Sequence, residues 1–175
     1  MTISTSETTS FRPTDRIDTS GTPLAAVYDI QDAARVRVWS KGGFIGVGGA
    51  AMAHVGIHIA NLSGHGIEFE CSSFELAIFH ESGVQLPDPM LAAYAPPGPS
   101  LMLILPRTGA TLDLYFELVV QLQLVASMRA SWFVVVAEQR IGRTTNFVRD
   151  GGGQLRSRLR SPRDATFAAP GSRSE

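Results

Sequence analysis

The chain has little of several residue types, and each shortage excludes a class of protein. Its one cysteine, Cys71, cannot form a disulfide within the chain, which fits a reducing compartment. There is no run of about 18 uncharged apolar residues, and this excludes a transmembrane helix. Lysine is nearly absent, because 14 of the 15 basic residues are arginine. The net charge of −1 argues against a binder of nucleic-acid polymers, which needs surplus basic residues.

What is present predicts one folded domain with polar ends. Hydrophobic residues make up 44% of the 175 residues, enough to bury one core. Residues 1–20 are rich in serine and threonine, without the apolar run of a secretory signal, so we expect a cytoplasmic protein. Residues 21–150 carry a net charge of −3, whereas residues 151–175 carry +3 and are rich in Gly, Arg and Ser. We therefore predict a flexible arm, a folded body and a disordered tail in these three ranges.

Alternating apolar residues predict β-strands through most of the body. The predicted apolar faces consist of Val55, Ile57 and Ile59; Ile67, Phe69 and Cys71; Phe74, Leu76 and Ile78; Leu101, Leu103 and Leu105; and Leu112, Leu114, Phe116 and Leu118. The change of parity at Ser72 and Ser73 predicts a bulge or a bend. Residues 132–137 form a continuous apolar run that is compatible with a fully buried strand. Residues 111–128 also fit a helical spacing, so a helix there is an alternative.

Glycine- and proline-rich turns separate these segments, which is typical of an antiparallel β-sandwich or a small barrel. His54 and His58 share one face of a predicted strand, but no further ligand is predicted beside them, so we do not predict a metal site. Cys71 lies in the apolar register, which favours a buried thiol over a nucleophile. A small hydrolase that uses Cys71 and a histidine is a further alternative.

One predicted turn has polar residues of the kind that bind ligands. Asn61 and Ser63 follow a strand, and such side chains bend turns and present polar atoms there. Gly66 allows a ligand to approach the backbone closely. An ordinary hairpin loop explains the same residues. Further upstream, Arg12 and Arg16 lie four residues apart, and two guanidinium groups can hold a phosphate and stack on a purine.

These two motifs together resemble those of the PilZ domain, the bacterial receptor module for the second messenger cyclic di-GMP. The motifs are RxxxR at Arg12 and Arg16, and [D/N]xSxxG at Asn61, Ser63 and Gly66. The resemblance extends diffusely over residues 12–150. It implies a six-stranded antiparallel β-barrel, in which residues 41–51 and 79–97 are loops longer than is usual for the family.

The resemblance also implies a function and a binding site. The arginines Arg12 and Arg16 would bind phosphate oxygens or guanine edges and stack on the rings. Asn61 and Ser63 would hydrogen-bond the ligand, and Gly66 would allow its close approach. The protein would have no enzymatic activity, metal or resident cofactor. It would convert binding of this nucleotide signal into altered docking on an unidentified protein partner. The alternative is a non-enzymatic β-sandwich interaction module that does not bind cyclic di-GMP.

Overall fold

The computed structural model describes residues 8–21 and 23–150, and within these ranges it contains twelve β-strands and no α-helix. The strands are β1 (Phe11–Pro13), β2 (Ile17–Asp18), β3 (Ala25–Ile30), β4 (Ala34–Ile45), β5 (Ala51–Asn61), β6 (Ile67–Glu70), β7 (Glu75–Phe79), β8 (Met90–Ala95), β9 (Leu101–Ile104), β10 (Gly109–Leu118), β11 (Ser127–Val136) and β12 (Gln139–Arg149). Single 3-10 turns occur at Val47–Gly49, Cys71–Ser73 and Leu122–Leu124.

The strands pair in an antiparallel manner and form two sheets. Sheet A has the order β2-β3-β4-β5-β10-β8, and sheet B has the order β1-β12-β11-β6-β9. Strand β7 also belongs to sheet B, because it pairs with β11. It contacts β11 at Ser127–Ser131, whereas β6 contacts β11 at Val135 and Val136. The short strands β6 and β7 therefore follow one another along the same side of β11.

The two sheets pack face to face around a shared core. Tyr28 of sheet A meets Trp132 of sheet B edge to face, with 5.3 Å between the ring centroids. The Tyr28 hydroxyl also lies 2.7 Å from the Thr145 hydroxyl of sheet B, so the buried phenol has a polar partner. Alternation gives each sheet one apolar face, and burying the two faces together produces a β-sandwich.

The predicted all-β antiparallel fold is confirmed, but the predicted six-stranded closed barrel is not found among the described strands. The outer strands are β2 and β8 in sheet A and β1 and β9 in sheet B, and no two of these four pair with each other. Apolar alternation occurs in barrels and sandwiches alike. Closure depends on pairing between strands that are distant in sequence, and alternation carries no information about it.

Burial confirms most of the predicted apolar faces and reverses one. The sets that begin at Val55, Ile67, Phe74 and Leu112 are buried, and the predicted bend is the 3-10 turn Cys71–Ser73. The reversed face belongs to β9 and the residue that follows it. There Ile104 is buried, whereas the leucines at positions 101, 103 and 105 are 51%, 62% and 57% exposed. In residues 132–137, burial alternates along β11, so this strand is not buried on both faces.

Two predicted loops and the helical alternative also differ from the structure. Residues 41–51 contain the end of β4, and residues 79–97 contain β8. Residues 111–128 form most of β10, a 3-10 turn and the start of β11. Strand β4 continues past its glycines through a register shift between Trp39 and Gly42. Gly42 has a φ of 106°, and a Cβ there would lie 2.2 Å from the Thr9 carbonyl oxygen, so this position requires glycine.

The described part of the predicted N-terminal arm belongs to the sandwich. It supplies β1, which pairs with β12, and β2, which pairs with β3. The Phe11 side chain is 4% exposed and packs in the core. The predicted tail, residues 151–175, lies outside the described residues. Within the described ranges, no helix has the length and apolarity needed to cross a bilayer.

Candidate functional site

The predicted ligand-binding turn uses its polar side chains to hold itself together. The Asn61 side chain is 1% exposed, and its amide nitrogen donates to the carbonyl oxygens of His65 (2.7 Å) and Ile104 (2.9 Å). Its amide oxygen accepts from the backbone N–H of Ser63 at 3.0 Å and lies 2.8 Å from the Ser63 hydroxyl. Both ends of Asn61 are therefore satisfied internally, and the residue ties the turn to the end of β9.

Ser63 and Gly66 also have partners within the protein. The Ser63 hydroxyl oxygen accepts from the His65 N–H at 3.1 Å. A Cβ on Gly66 would lie 2.9 Å from the Leu103 Cδ1 atom, so the missing side chain makes room for a leucine of β9. These contacts explain the Asn-x-Ser-x-x-Gly pattern structurally, because they hold the turn between β5 and β6 against β9.

The two arginines of the upstream motif have separate surroundings. Arg12 lies on β1, and its Nε atom is 3.9 Å from a carboxylate oxygen of Asp150. Arg16 follows β1 with a φ of 51°, and its guanidinium carbon lies 5.4 Å from the centroid of the Tyr28 ring. A cation above an aromatic ring is a favourable contact, so Arg16 is placed by Tyr28.

Strand register puts Arg12 far from the turn. Arg12 lies opposite Val148, which lies opposite Ser127 at one end of β11. The turn leads into Ile67, which lies opposite Val136 at the other end of β11. Nine residues of extended strand separate these two ends, a distance of about 30 Å. The structure therefore does not bring Arg12 to the turn.

Arg16 is also separated from the turn, because three strand-to-strand spacings lie between its backbone and β5. Its carbonyl oxygen accepts from the Val27 N–H on β3. Val27 lies opposite Arg37 on β4, and Arg37 lies opposite His58 on β5, three residues before Asn61. These steps correspond to a backbone separation of roughly 17 Å. Thus Asn61, Ser63 and Gly66 form one turn, and the arginines lie elsewhere.

A polar pair that the sequence pattern did not reveal links the buried His54 of β5 to the partly exposed Asp113 of β10. The His54 side chain is 1% exposed, and its Nε2 atom lies 2.6 Å from the Asp113 carboxylate. Its Nδ1 atom accepts from the Lys41 backbone N–H at 2.9 Å, so Nε2 carries the proton and the ring is neutral. Burial lowers the pKa of His54, and the hydrogen bond to Asp113 opposes this shift. No motif marks this pair, because the two residues are 59 positions apart.

The hydrolase alternative requires Cys71 to act as a nucleophile. Cys71 is fully buried, and burial raises the pKa of its thiol, which disfavours the nucleophilic thiolate. The described residues contain no group of three or more His, Cys, Asp or Glu that could hold a metal ion.

A long stretch without charge lies at one edge of the sandwich. Strands β8 and β9 are outer strands of the two sheets, and each pairs with one other described strand. No residue from Pro89 to Pro106 is charged. We call this segment the uncharged edge. Its exposed apolar side chains are Met90, Leu101, Leu103 and Leu105.

Comparison with known proteins identifies no family. No family model matches the chain, and no curated protein matches it. The chain is similar to the crystal structure of a FixG-related protein from Vibrio parahaemolyticus, with 13% identity, a TM-score of 0.40, and coverage of 69% of this chain and 99% of the other. It is also similar to Northeast Structural Genomics Consortium target SoR45, with 12% identity, a TM-score of 0.40, and coverage of 83% and 100%. At TM-scores this low, neither similarity decides the fold or the function.

Proposed function

We propose that this protein is a non-enzymatic β-sandwich interaction module that associates with a second copy of itself through β9. The uncharged edge carries the proposal. Outer strands expose unpaired backbone N–H and C=O groups, and proteins usually protect them with charged side chains. Here the outer strands β8 and β9 have no charge, and exposed leucines lie on and next to β9, which is typical of a strand that pairs with another strand.

A second copy of this chain fits the uncharged edge for reasons of symmetry. In a two-fold antiparallel pair of β9 strands, Leu103 faces Leu103 of the other copy, and Leu101 faces Leu105. Side chains directly opposite each other lie about 4.5–5.5 Å apart, so the leucines form one apolar strip. A charge near the two-fold axis would face a like charge, and this segment has none to oppose the pairing.

The size of the uncharged edge predicts a weak association. Strand β8 has six residues and therefore extends for about 20 Å, and two stacked sheets are about 10 Å apart. Such an edge covers about 200 Å², roughly a quarter of the 800 Å² that each partner buries in a standard interface. Pro99 and Pro106 also limit the length of strand that can pair. We expect a dissociation constant of about 100 μM or weaker.

Sedimentation velocity over a concentration series tests the proposal. The expected result is a monomer at about 10 μM, and a weight-average sedimentation coefficient that rises towards that of a dimer by about 500 μM. A constant monomer value over this range would contradict self-association. Growth beyond a dimer would also contradict it, because two-fold pairing of β9 is closed.

Cyclic di-GMP binding is the second hypothesis, and its support is the resemblance of the Asn61–Gly66 turn and the arginine pair to the PilZ motifs. The positions of Arg12 and Arg16 do not favour it, because both lie away from the turn. Titration calorimetry distinguishes the two hypotheses. The interaction module gives no binding heat at high micromolar cyclic di-GMP. Binding heat that Arg16→Ala and Ser63→Ala each reduce by about tenfold or more in affinity would favour the receptor instead.

A further inference from the structure

We propose that a pocket on the solvent face of sheet A binds a small aromatic anion, such as an aromatic carboxylate. The pocket has a volume of about 340 Å³. This lies at the lower end of the roughly 300–1,000 Å³ found for small-molecule sites, so it suits a ligand with one ring. It lies on a different surface from the uncharged edge and does not depend on self-association.

Strand register builds the floor of the pocket from three neighbouring strands. Arg37 on β4 lies opposite His58 on β5, and His58 lies opposite Thr111 on β10. Residues directly opposite each other point to the same face of a sheet, so these three polar side chains form one row. The His58 Nδ1 atom lies 2.7 Å from the Thr111 hydroxyl, which holds the imidazole in place. The loop residues Gly21 and Pro23 form the rim.

An indole ring forms one wall. Trp39 lies opposite Gly56, and a Cβ on Gly56 would lie between 2.2 and 2.5 Å from three atoms of the indole. The ring therefore lies directly over the Gly56 backbone and is held there by packing. In the same way, a Cβ on Gly109 would lie 3.0 Å from the His58 ring. Two glycines thus make room for two rings on this face, and a flat aromatic ligand can stack beside them.

The guanidinium of Arg37 favours an anionic ligand. One side of it is paired, because Nη2 lies 3.4 Å from a carboxylate oxygen of Asp18. Its Nε atom is buried and has no hydrogen-bond partner among the described residues. Asp18 approaches only Nη2, so other N–H groups of this guanidinium, which lines the pocket, can donate to a carboxylate oxygen bound there. None of the seven lining residues is acidic, so the lining contributes no negative charge to repel an anion.

Nuclear magnetic resonance provides a test on the full chain, because the protein has two tryptophans. The probe is benzoate, added to the ¹⁵N-labelled protein up to about 10 mM, since a one-ring ligand binds with a Kd of about 1 mM. We expect the indole N–H signal of Trp39 to shift and saturate. The signal of Trp132 should stay in place, because its indole N–H donates to Thr145 in the core. The variant Trp39→Phe assigns the two signals.

Two matched variants test the role of charge. Arg37→Gln should raise the Kd for benzoate by about tenfold or more, whereas Arg35→Gln should change it by less than about twofold. Arg35 lies on the same face of β4 but pairs with Asp29 and does not line the pocket. Absence of a saturable Trp39 shift would overturn the proposal, as would equal effects of the two variants. An equal shift with benzylamine would remove the requirement for an anion, and an equal shift with inorganic phosphate would remove the requirement for a ring.

Discussion

At the scale of single residues, the polar side chains of this protein act mainly on its own backbone. Asn61 is the clearest case, because its amide serves two carbonyl oxygens and one backbone N–H of the turn. The sequence pattern correctly marks the position as special. It does not distinguish a side chain that holds a turn from one that binds a ligand, because both tasks need the same donors and acceptors.

Asn61→Ala should therefore destabilise the protein even though it leaves the strands intact. The change removes the acceptor of the Ser63 N–H and one donor to the Ile104 carbonyl, and a buried polar group left without a partner costs about 1–3 kcal/mol. We expect a reduction of about 2–4 kcal/mol in the free energy of unfolding, measured with urea. The matched control is Asn146→Ala at an exposed position of β12, which should cost less than about 0.5 kcal/mol. Equal costs for the two variants would show that the turn does not depend on its amide.

Because His54 is buried, we predict that the stability of the folded protein depends on pH. Burial lowers its pKa in the folded protein, whereas in the unfolded chain the pKa is about 6.5. Below about pH 6.5 the unfolded chain binds a proton that the folded protein does not, so stability falls as the pH falls. Above about pH 6.5 His54 is neutral in both states, so it causes no loss in the free energy of unfolding there. His58 contributes with the same sign, because burial and Arg37 lower its pKa too.

Unfolding measured between about pH 7.5 and 5.5 should show this loss of stability, before most carboxylates titrate. His54→Gln should make the stability less dependent on pH over this range. His58→Gln should do so to a smaller extent, since His54 is the more deeply buried ring. A wild-type protein whose stability is constant over this range would contradict the role given to these rings.

At the scale of elements, apolar alternation predicted strands well and their surroundings less well. The faces on β5, β6, β7 and β10 are buried as predicted. On β9 the period was correct but the buried side was wrong. Leu101, Leu103 and Leu105 resemble a core face by hydrophobicity, and Ile104 takes the core position instead. A period-two pattern with apolar residues on both faces does not show which face is buried. For this reason the sequence did not distinguish the exposed leucines of the uncharged edge from core residues.

Charge placed on β9 should prevent self-association. Leu103→Lys puts two like charges opposite each other at the two-fold axis, and we expect sedimentation to show a monomer at about 500 μM. The control is Val119→Lys, which charges an exposed apolar position outside the uncharged edge and should leave association unchanged. If both variants dimerise like the wild type, β9 is not the interface.

At the scale of the whole molecule, the class of fold could be predicted but its closure could not. Strand content and turns indicated an antiparallel β protein, and this is confirmed. Which strands pair depends on contacts such as β1 with β12 and β5 with β10, which join distant parts of the chain. The same contacts separate Arg12 and Arg16 from the turn. A motif whose parts lie on different elements is therefore only as reliable as the assumed topology.

In the proposed dimer two copies pair through β9, and an isotope-filtered nuclear Overhauser experiment detects this pairing directly. Labelled and unlabelled chains are mixed at about 500 μM, where association is expected. We expect intermolecular contacts between the α-protons of opposing β9 strands, centred on Leu103, because antiparallel pairing brings opposite Cα atoms to about 4.5–5.5 Å. Intermolecular contacts confined to other strands, or none at all, would contradict it.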